Sequence, residues 1–470
     1  MVAEHRCECH LHLPAAVISG PSLSLPWPGA AGGWSWWRRM RRSWCEQLTA
    51  STLLGNAAGA LLLLRSLVMR GASDARLVII VTAARRITNP ILRVGLARVL
   101  ARWQREPHVA LWRTRRIGWA KHAEDLRTTA LTTSLLLKAP GLGGEKGVLY
   151  CSFEYNWLRL ISHPSARRLL SDYFLVGASS WSPPDYAAML SVASVARYPL
   201  FLGVSHPSDA ARYALLKPRV RAVPIMASDW INPEFYTPRP FSARDIDILM
   251  VANFSPFKRH WLLFDALSRM RRDLHVTLIG IPAPGRGERE LRDEARAAGV
   301  KQQLEIVVNA PIELVANYQC RAKTSVILSL REGSCVAVAE SLFAGCPVAM
   351  LHNAHVGSKA YINADTGVLV GERRLDRELT AFLAASASYK PRAWAMANIT
   401  CQHASSRLNR ILQDYATSAG QPWTRDITPM CWRYVPSYVD PADEQVMAPH
   451  VARLQADYGI ELETFTYRAH

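Results

Sequence analysis

Past residue 245 the apolar positions fall into short runs of two kinds. "IDILMVANF" (246–254), "HVTLIGI" (275–281), "LEIVV" (304–308), "TSVILSL" (324–330) and "PVAML" (347–351) are compact, β-branched runs that predict buried strands. Between them "HWLLFDALSRM", "GERELRDEARAAGV", "PIELVANYQCR" and "VAVAESLFAG" space their apolar residues three and four apart, as amphipathic helices do. Strand and helix in strict alternation imply a parallel sheet with connections on both faces.

The first half repeats this alternation less clearly. Residues 53–71 predict a helix ending near Gly71, "ARLVIIVTA" (75–83) a strand, and 89–104 a further helix. "GVLYCSF" (147–153) and "DYFLVGAS" (172–179) predict buried strands, the second leading into a Pro-started helix at "PPDYAAML". Apolar periodicity stops at "ASDWINPEFYTPRPFSARD" (227–245), where Pro is frequent, and this stretch predicts an interdomain linker. The chain therefore divides into an irregular arm (1–47), a first α/β domain (48–226), the linker (227–245), a second α/β domain (246–420) and an unassigned tail (421–470).

Composition narrows the partners. The 470 residues carry a net charge of +18, and residues 1–150 hold 21 Lys and Arg against 8 Asp and Glu. Such a surplus suits a phosphate-bearing ligand or an anionic membrane face. Nucleic acid is not expected, because the basic groups stand in short Arg clusters outside any nucleic-acid-binding motif. Within the arm, "GGWSWWRRMRRSW" pairs indoles with guanidinium groups, a combination suited to lipid headgroups or simply to an irregular surface segment.

Nine cysteines, an odd number, lie mostly in apolar stretches, as reduced core thiols do, so a cytoplasmic setting is expected. "HRCECHLH" near the start lacks the spaced ligand pairs of a zinc site. No secretory leader is expected, and "LTASTLLGNAAGALLLL" (48–64) only reaches the lower limit for a membrane span, so a buried helix is expected there.

The chemistry concentrates in "REGSCVAVAESLFAGCPVAM" (331–350), where a strand ends, Glu332, Gly333 and Ser334 form a turn, and a helix begins. A helix N-terminus at the carboxyl end of a parallel strand offers free amides and a positive dipole end to a phosphate. Glu332 and Glu340 would repel that phosphate, so neutral hydroxyls are their natural targets. A ligand with a diphosphate in the middle and a sugar at each end satisfies both demands.

The spacing from Glu332 to Glu340 resembles the E-x7-E signature of retaining GT-B glycosyltransferases of the family 4 type, and Gly345 and Pro347 match the "GxPV" that follows it. "LMVANFSPFKRH" (249–260) is similar to the "VGRxxxxKG" segment, the linker resembles "NGVDxxxFxP", and "VGSKAYINADTGVLV" (356–370) resembles the segment that closes the donor pocket. The resemblance runs over about 150–415. It implies two Rossmann-like domains facing a central cleft and sugar transfer from a nucleotide-sugar donor to a glycan or lipid-linked acceptor, in polysaccharide or cell-envelope glycan synthesis. Peripheral contact with an anionic membrane fits that role.

By the same resemblance Glu332 contacts the donor sugar, with the Gly333 and Ser334 amides beside it; Glu340 binds the ribose and Lys258 neutralises the diphosphate. Gly357 belongs to the pocket-closing loop. The family arginine is replaced by Asn253, and Arg259 is a candidate for supplying the lost charge. In the first domain Gly55 and Asn56 are candidates for the Gly-rich loop, Phe153 and Glu154 stand where the family often has His-Asp, and His206 is the candidate catalytic imidazole. No metal or other cofactor is expected, since Lys258 and the helix dipole carry the charge; the acidic pair Asp245 and Asp247 reads as a chance match to a metal motif. A degenerate subunit of the same fold that binds nucleotide or a partner without turnover is the alternative, and an epimerase or phosphorylase of similar fold a further one.

Overall fold

The computed structural model describes residues 51–69, 74–103, 130–433 and 435–463. The Trp- and Arg-rich arm, the "HRCECHLH" cluster and a possible strand at "PAAVISG" (14–20) lie outside the described residues. Three helices come first: α1 (Thr52–Val68), α2 (Asp74–Arg86) and α3 (Pro90–Trp103).

Three expectations fail here. "ARLVIIVTA" forms α2 rather than a strand: Leu77, Ile80, Val81 and Ala84, spaced three and four apart, are all buried. A continuous apolar run reads equally as strand or buried helix, and here tertiary burial decides. Likewise 48–64 contributes a helix, α1, with Ser51 Oγ accepting from the Leu54 amide at its start, but Leu53, Leu61 and Leu64 are exposed rather than buried. Gly55 and Asn56 sit inside α1 and form no loop. Asn56 instead accepts hydrogen bonds from the Thr88 and Asn89 amides (2.7 and 2.9 Å), fixing the start of α3.

The first sheet contains β1 (Ser134–Lys138), β2 (Gly147–Ser152), β3 (Tyr173–Ala178), β4 (Leu200–Gly203) and β5 (Val220–Val223), side by side in chain order. β1 pairs antiparallel with β2 and the rest are parallel. Right-handed crossovers between successive neighbours return over one face. There α4 (Glu154–Ser162), α5 (Ala166–Asp172) and α6 (Tyr186–Val195) pack Trp157, Leu169 and Met189 with Leu149, Leu175 and Leu202, and the short α7 (Asp209–Tyr213) follows β4. The opposite face, with Tyr150, Phe174 and Phe201, is covered by Leu408, Leu412 and Ala416 of α14 (Cys401–Ser418), a helix that returns from the far end of the chain.

The second sheet is parallel throughout, in the order β11 (Gly367–Val370), β10 (Val348–Leu351), β9 (Ala322–Ile327), β6 (Ile246–Val251), β7 (His275–Gly280), β8 (Gln303–Val308). The chain runs outward from β6 to β8, with α8 (His260–Leu267) and α9 (Glu288–Ala298) as crossovers. α10 (Ile312–Arg321) then carries it back to β9, on the other side of β6. The order thus reverses between β6 and β9, which opens a crevice at their carboxyl ends. α11 (Val336–Phe343) follows β9, and α12 (Leu375–Ala385) and α13 (Pro391–Asn398) close the domain.

The tail that the sequence left unassigned forms a hairpin, β12 (Met430–Arg433) and β13 (Val435–Tyr438), followed by α15 (Ala442–Tyr458). It wraps the first domain: Tyr458 Oη donates to Asp172 (2.7 Å) and the Leu131 amide to the Glu461 carbonyl (2.8 Å). Among the described residues no helix is long and apolar enough to cross a membrane.

Candidate functional site

Lys258 leaves the loop after β6 and Glu332 the loop after β9, so the strand reversal brings them together: Nζ lies 2.7 Å from Oε2, with side chains 13% and 8% exposed. Burial disfavours the ammonium, but the adjacent carboxylate outweighs it and holds Lys258 above the usual lysine range. Glu332 Oε1 has no hydrogen-bond partner among the described residues. Lys258 ends a tight turn from Pro256, and the chain reverses through Arg259 at φ 62°, the position that is Gly in the resembled segment.

That reversal sends the Arg259 side chain away from the crevice. Its guanidinium is fully buried and grips Glu372 through two hydrogen bonds of 3.0 and 2.7 Å. Arg259 therefore does not supply the charge lost at Asn253, because Glu372 has claimed it. Asn253 itself is exposed and accepts from the Ser255 amide (3.2 Å), shaping its own loop.

α11 starts from Cys335, which is left-handed (φ 53°) and gives no side-chain cap. The first amides, Val336 and Ala337, have no carbonyl one turn back and form the positive end of the helix. Glu340 lies on the second turn, half-buried, accepting from Gln319 Nε2 (3.2 Å); burial pushes its carboxyl up. Ser334 is tied to the linker: its Oγ accepts from the Ser228 amide (3.0 Å) and its carbonyl from Ser228 Oγ (3.1 Å). Any ligand contact at Ser334 then falls to its backbone amide.

The two domains meet at these loops. A Cβ on Gly333 would lie 3.1 Å from the Ser180 carbonyl, and one on Gly357 only 2.0 Å from the Ser205 carbonyl, so backbone touches backbone across the cleft. His206, after β4, stacks on His355, after β10, at 3.9 Å between ring centroids. Burial pushes His206 down to about 4 and His355 to about 3. His355 Nε2 is 2.9 Å from Ser182 Oγ, which donates to Asp209 (2.8 Å), and the His206 amide donates to the same carboxylate (2.9 Å). His206 is thus a member of an interdomain latch.

Glu154 opens α4 directly after Phe153, which is held at φ 64°. Both carboxylate oxygens accept from the Ser180 amide (3.2 Å each), and complete burial raises the group to about 7. It therefore positions the loop that Gly333 rests on. His355, Ser182, Ser228 and Asp209 escaped the sequence reading, since their roles arise from contacts across more than a hundred residues or from a burial no local pattern marks. Asp245 and Asp247 lie at the opposite end of β6 from Lys258 and pair with Arg321 (2.5 Å) and Lys323 (2.8 Å). Among the described residues no group of three or more His, Cys, Asp or Glu is placed to hold a metal ion.

Residues 236–390 match the family described as "Glycosyl transferases group 1", a span that includes Lys258, Glu332, Glu340 and Gly357. No curated protein matches the chain. Among solved structures it is similar to sucrose-phosphate synthase from Thermosynechococcus elongatus, at 15% identity and TM-score 0.45, over 58% of this chain and 74% of that one. Anabaena HepE in complex with UDP and glucose aligns at 14% identity and TM-score 0.45, over 57% and 78%. The lipopolysaccharide outer core galactosyltransferase WaaB aligns at 14% identity and TM-score 0.42, over 57% and 75%. The chain is a mixed α/β protein whose two sheets direct strand carboxyl ends at one another, the GT-B arrangement, and the stretch similar to the glycosyltransferase group 1 model spans the second of them.

Proposed function

We propose that the protein transfers a sugar from a nucleotide-sugar donor to a glycan or lipid-linked acceptor, with retention at the anomeric carbon. The observation that carries this reading is the meeting of Lys258 and Glu332 at the strand reversal, beside the first amides of α11 and with Glu340 on that helix. A departing diphosphate needs a cation and preorganised N–H donors where its charge develops. Lys258 and α11 supply both, and no metal is required for that task. Glu332 then faces sugar hydroxyls and Glu340 the ribose diol.

In the structure Glu332 occupies Lys258, so donor binding exchanges a carboxylate for a phosphate on the same ammonium. Opening of the Gly333 and Gly357 contacts is part of donor entry, because backbone fills that part of the cleft. Polysaccharide or cell-envelope glycan assembly at the inner face of a membrane is the setting we favour.

The test is thermal-shift binding of UDP, GDP, ADP and CMP to the wild type, Glu340→Gln and Lys258→Met, followed by donor turnover and the anomeric configuration of the product by NMR. One preferred nucleotide, weakened in both variants, together with a retained anomeric configuration, is expected. An inverted product would remove the retaining mechanism, and stabilisation by none of the nucleotides would remove the donor site.

One observation favours a second reading, a subunit of the same fold that binds nucleotide without turnover: Arg259 is committed to Glu372 and Asn253 to its own loop, leaving Lys258 without the companion cation of the resembled segment. Saturable nucleotide binding with no hydrolysis or transfer of any donor would select it.

A further inference from the structure

Exposed large apolar side chains among the described residues are mostly solitary, such as Leu142, Ile281 and Met396, and α1 is the exception. Leu53 (81% exposed), Leu54 (52%), Leu61 (68%), Leu64 (59%), Leu67 (64%) and Val68 (84%) are all exposed on α1. At 100° per residue they fall within an arc of about 140°. The opposite side, through Gly59 and Ser66, is the buried one, with Gly59 set against Ile87. On α3, which begins at the Asn56 contact with α1, Ile91 (81%) and Val94 (55%) are exposed in the same manner. A helix face that exposes this many large apolar side chains marks an interaction site.

Charge selects the partner. Residues 51–103 contain eight Arg and a single acidic residue, Asp74. Arg65 and Arg98 are exposed on the two helices that carry the stripe. A protein partner of mixed surface charge has no need of so one-sided a frame, whereas an anionic bilayer meets both the leucines and the guanidinium groups. We propose that the α1–α3 face docks on an anionic lipid bilayer, α1 lying in the interface plane with Leu53, Leu61, Leu64 and Val68 inserted.

This docking rests on the helix face and its charge, independently of any sugar chemistry. Its use in presenting a lipid-linked acceptor rests on the proposed glycosyl transfer. The N-terminal end of α1, at Ser51, lines a cavity of about 700 Å³ with His352, Asn353, Glu372 and Arg374, on loops at the carboxyl end of the second sheet.

The experiment is flotation of the full-length protein, without donor, on phosphatidylcholine vesicles with and without 30% phosphatidylglycerol, at low and high salt. Wild type is compared with Leu61→Asp/Leu64→Asp and with Leu142→Asp as a control for a solitary exposed leucine. We expect wild type and control to float only with the anionic vesicles, to release in high salt, and the double variant to lose about tenfold or more in partitioning. Thermal unfolding checks that the double variant folds, and Leu64→Ser, a milder change at an exposed position, gives a second reading if it does not. Equal flotation of wild type and the aspartate variant would assign lipid binding to the Trp- and Arg-rich arm and overturn the proposal. So would salt-insensitive wild-type binding, or a wild-type dimer, without vesicles, that the double variant abolishes.

Discussion

The Lys258–Glu332 pair predicts that wild type and a Glu332 variant respond to rising pH with opposite slopes. Glu332→Gln keeps the shape of the side chain and a carbonyl oxygen for the ammonium but removes the countercharge. Both partners are largely buried and 2.7 Å apart, so solvent screens little of their attraction. Removing one partner of a buried pair costs roughly 3–5 kcal/mol, and the retained hydrogen bond lowers our expectation to about 2–3 kcal/mol. For a domain of this size that is a fall in Tm of about 4–12 °C near pH 8.

In the wild type Lys258 is held above its unfolded value, so its contribution is fully present below about 10.5 and lost as pH rises through the higher folded value. In the variant burial acts unopposed and depresses Lys258, so folding gains stability as pH rises towards 10.5. Urea unfolding of both proteins between pH 7 and 11, followed by Trp fluorescence, reads the two slopes. Parallel slopes, or a loss below 0.5 kcal/mol in the variant, would refute the pairing as the source of the Lys258 shift.

Other substitutions probe the latch and its supports. Gly357→Ala places a Cβ 2.0 Å from the Ser205 carbonyl where ordinary contact starts near 3.4 Å, so the domains must part by about 1.4 Å; hydrogen exchange at 180–182 and 205–208 should rise, and unchanged exchange would count against closure at this glycine. Glu154→Gln mimics the protonated acid: because burial raises Glu154 to about 7, stability is lost as pH rises from 4.5 through 7, and the variant should raise Tm at pH 8 while changing it little at pH 5. His206 and His355 are both depressed, so stability should fall as pH drops from 6.5 towards 4, with Asp209, raised to about 6, opposing part of the fall and the cations Arg212, Arg331 and Lys359 adding to it. His355→Phe should flatten that slope by about one proton, or 1.4 kcal/mol per pH unit, and an unaltered acid profile would exclude the stacked pair as its origin. Arg259→Ala removes the double contact to Glu372 and should destabilise by about 3 kcal/mol while leaving nucleotide affinity unchanged; a matching loss of affinity would return Arg259 to the donor site.

Much of the second domain was legible because its signals are local. Each strand is a compact apolar run and each helix a 3.6-residue pattern, and one turn placed Glu332, Gly333 and the start of α11 in register without reference to any distant residue. The first domain was less legible. "ARLVIIVTA" is apolar around its whole circumference, so only packing under α1 makes it a helix, and Gly55 imitates a loop glycine while its true use is a close helix contact.

The sequence by itself determined the alternation of elements, the linker, the basic first third and the Glu332 to Glu340 spacing, all of which depend on neighbours along the chain. Only the tertiary structure decided that Lys258 pairs with Glu332, that Arg259 turns to Glu372, that His206 meets His355, and that the leucines of α1 face outward. Those outcomes depend on which loops the order of strands brings to one crevice and on which helix face finds a partner, and neither is written in any single stretch of residues.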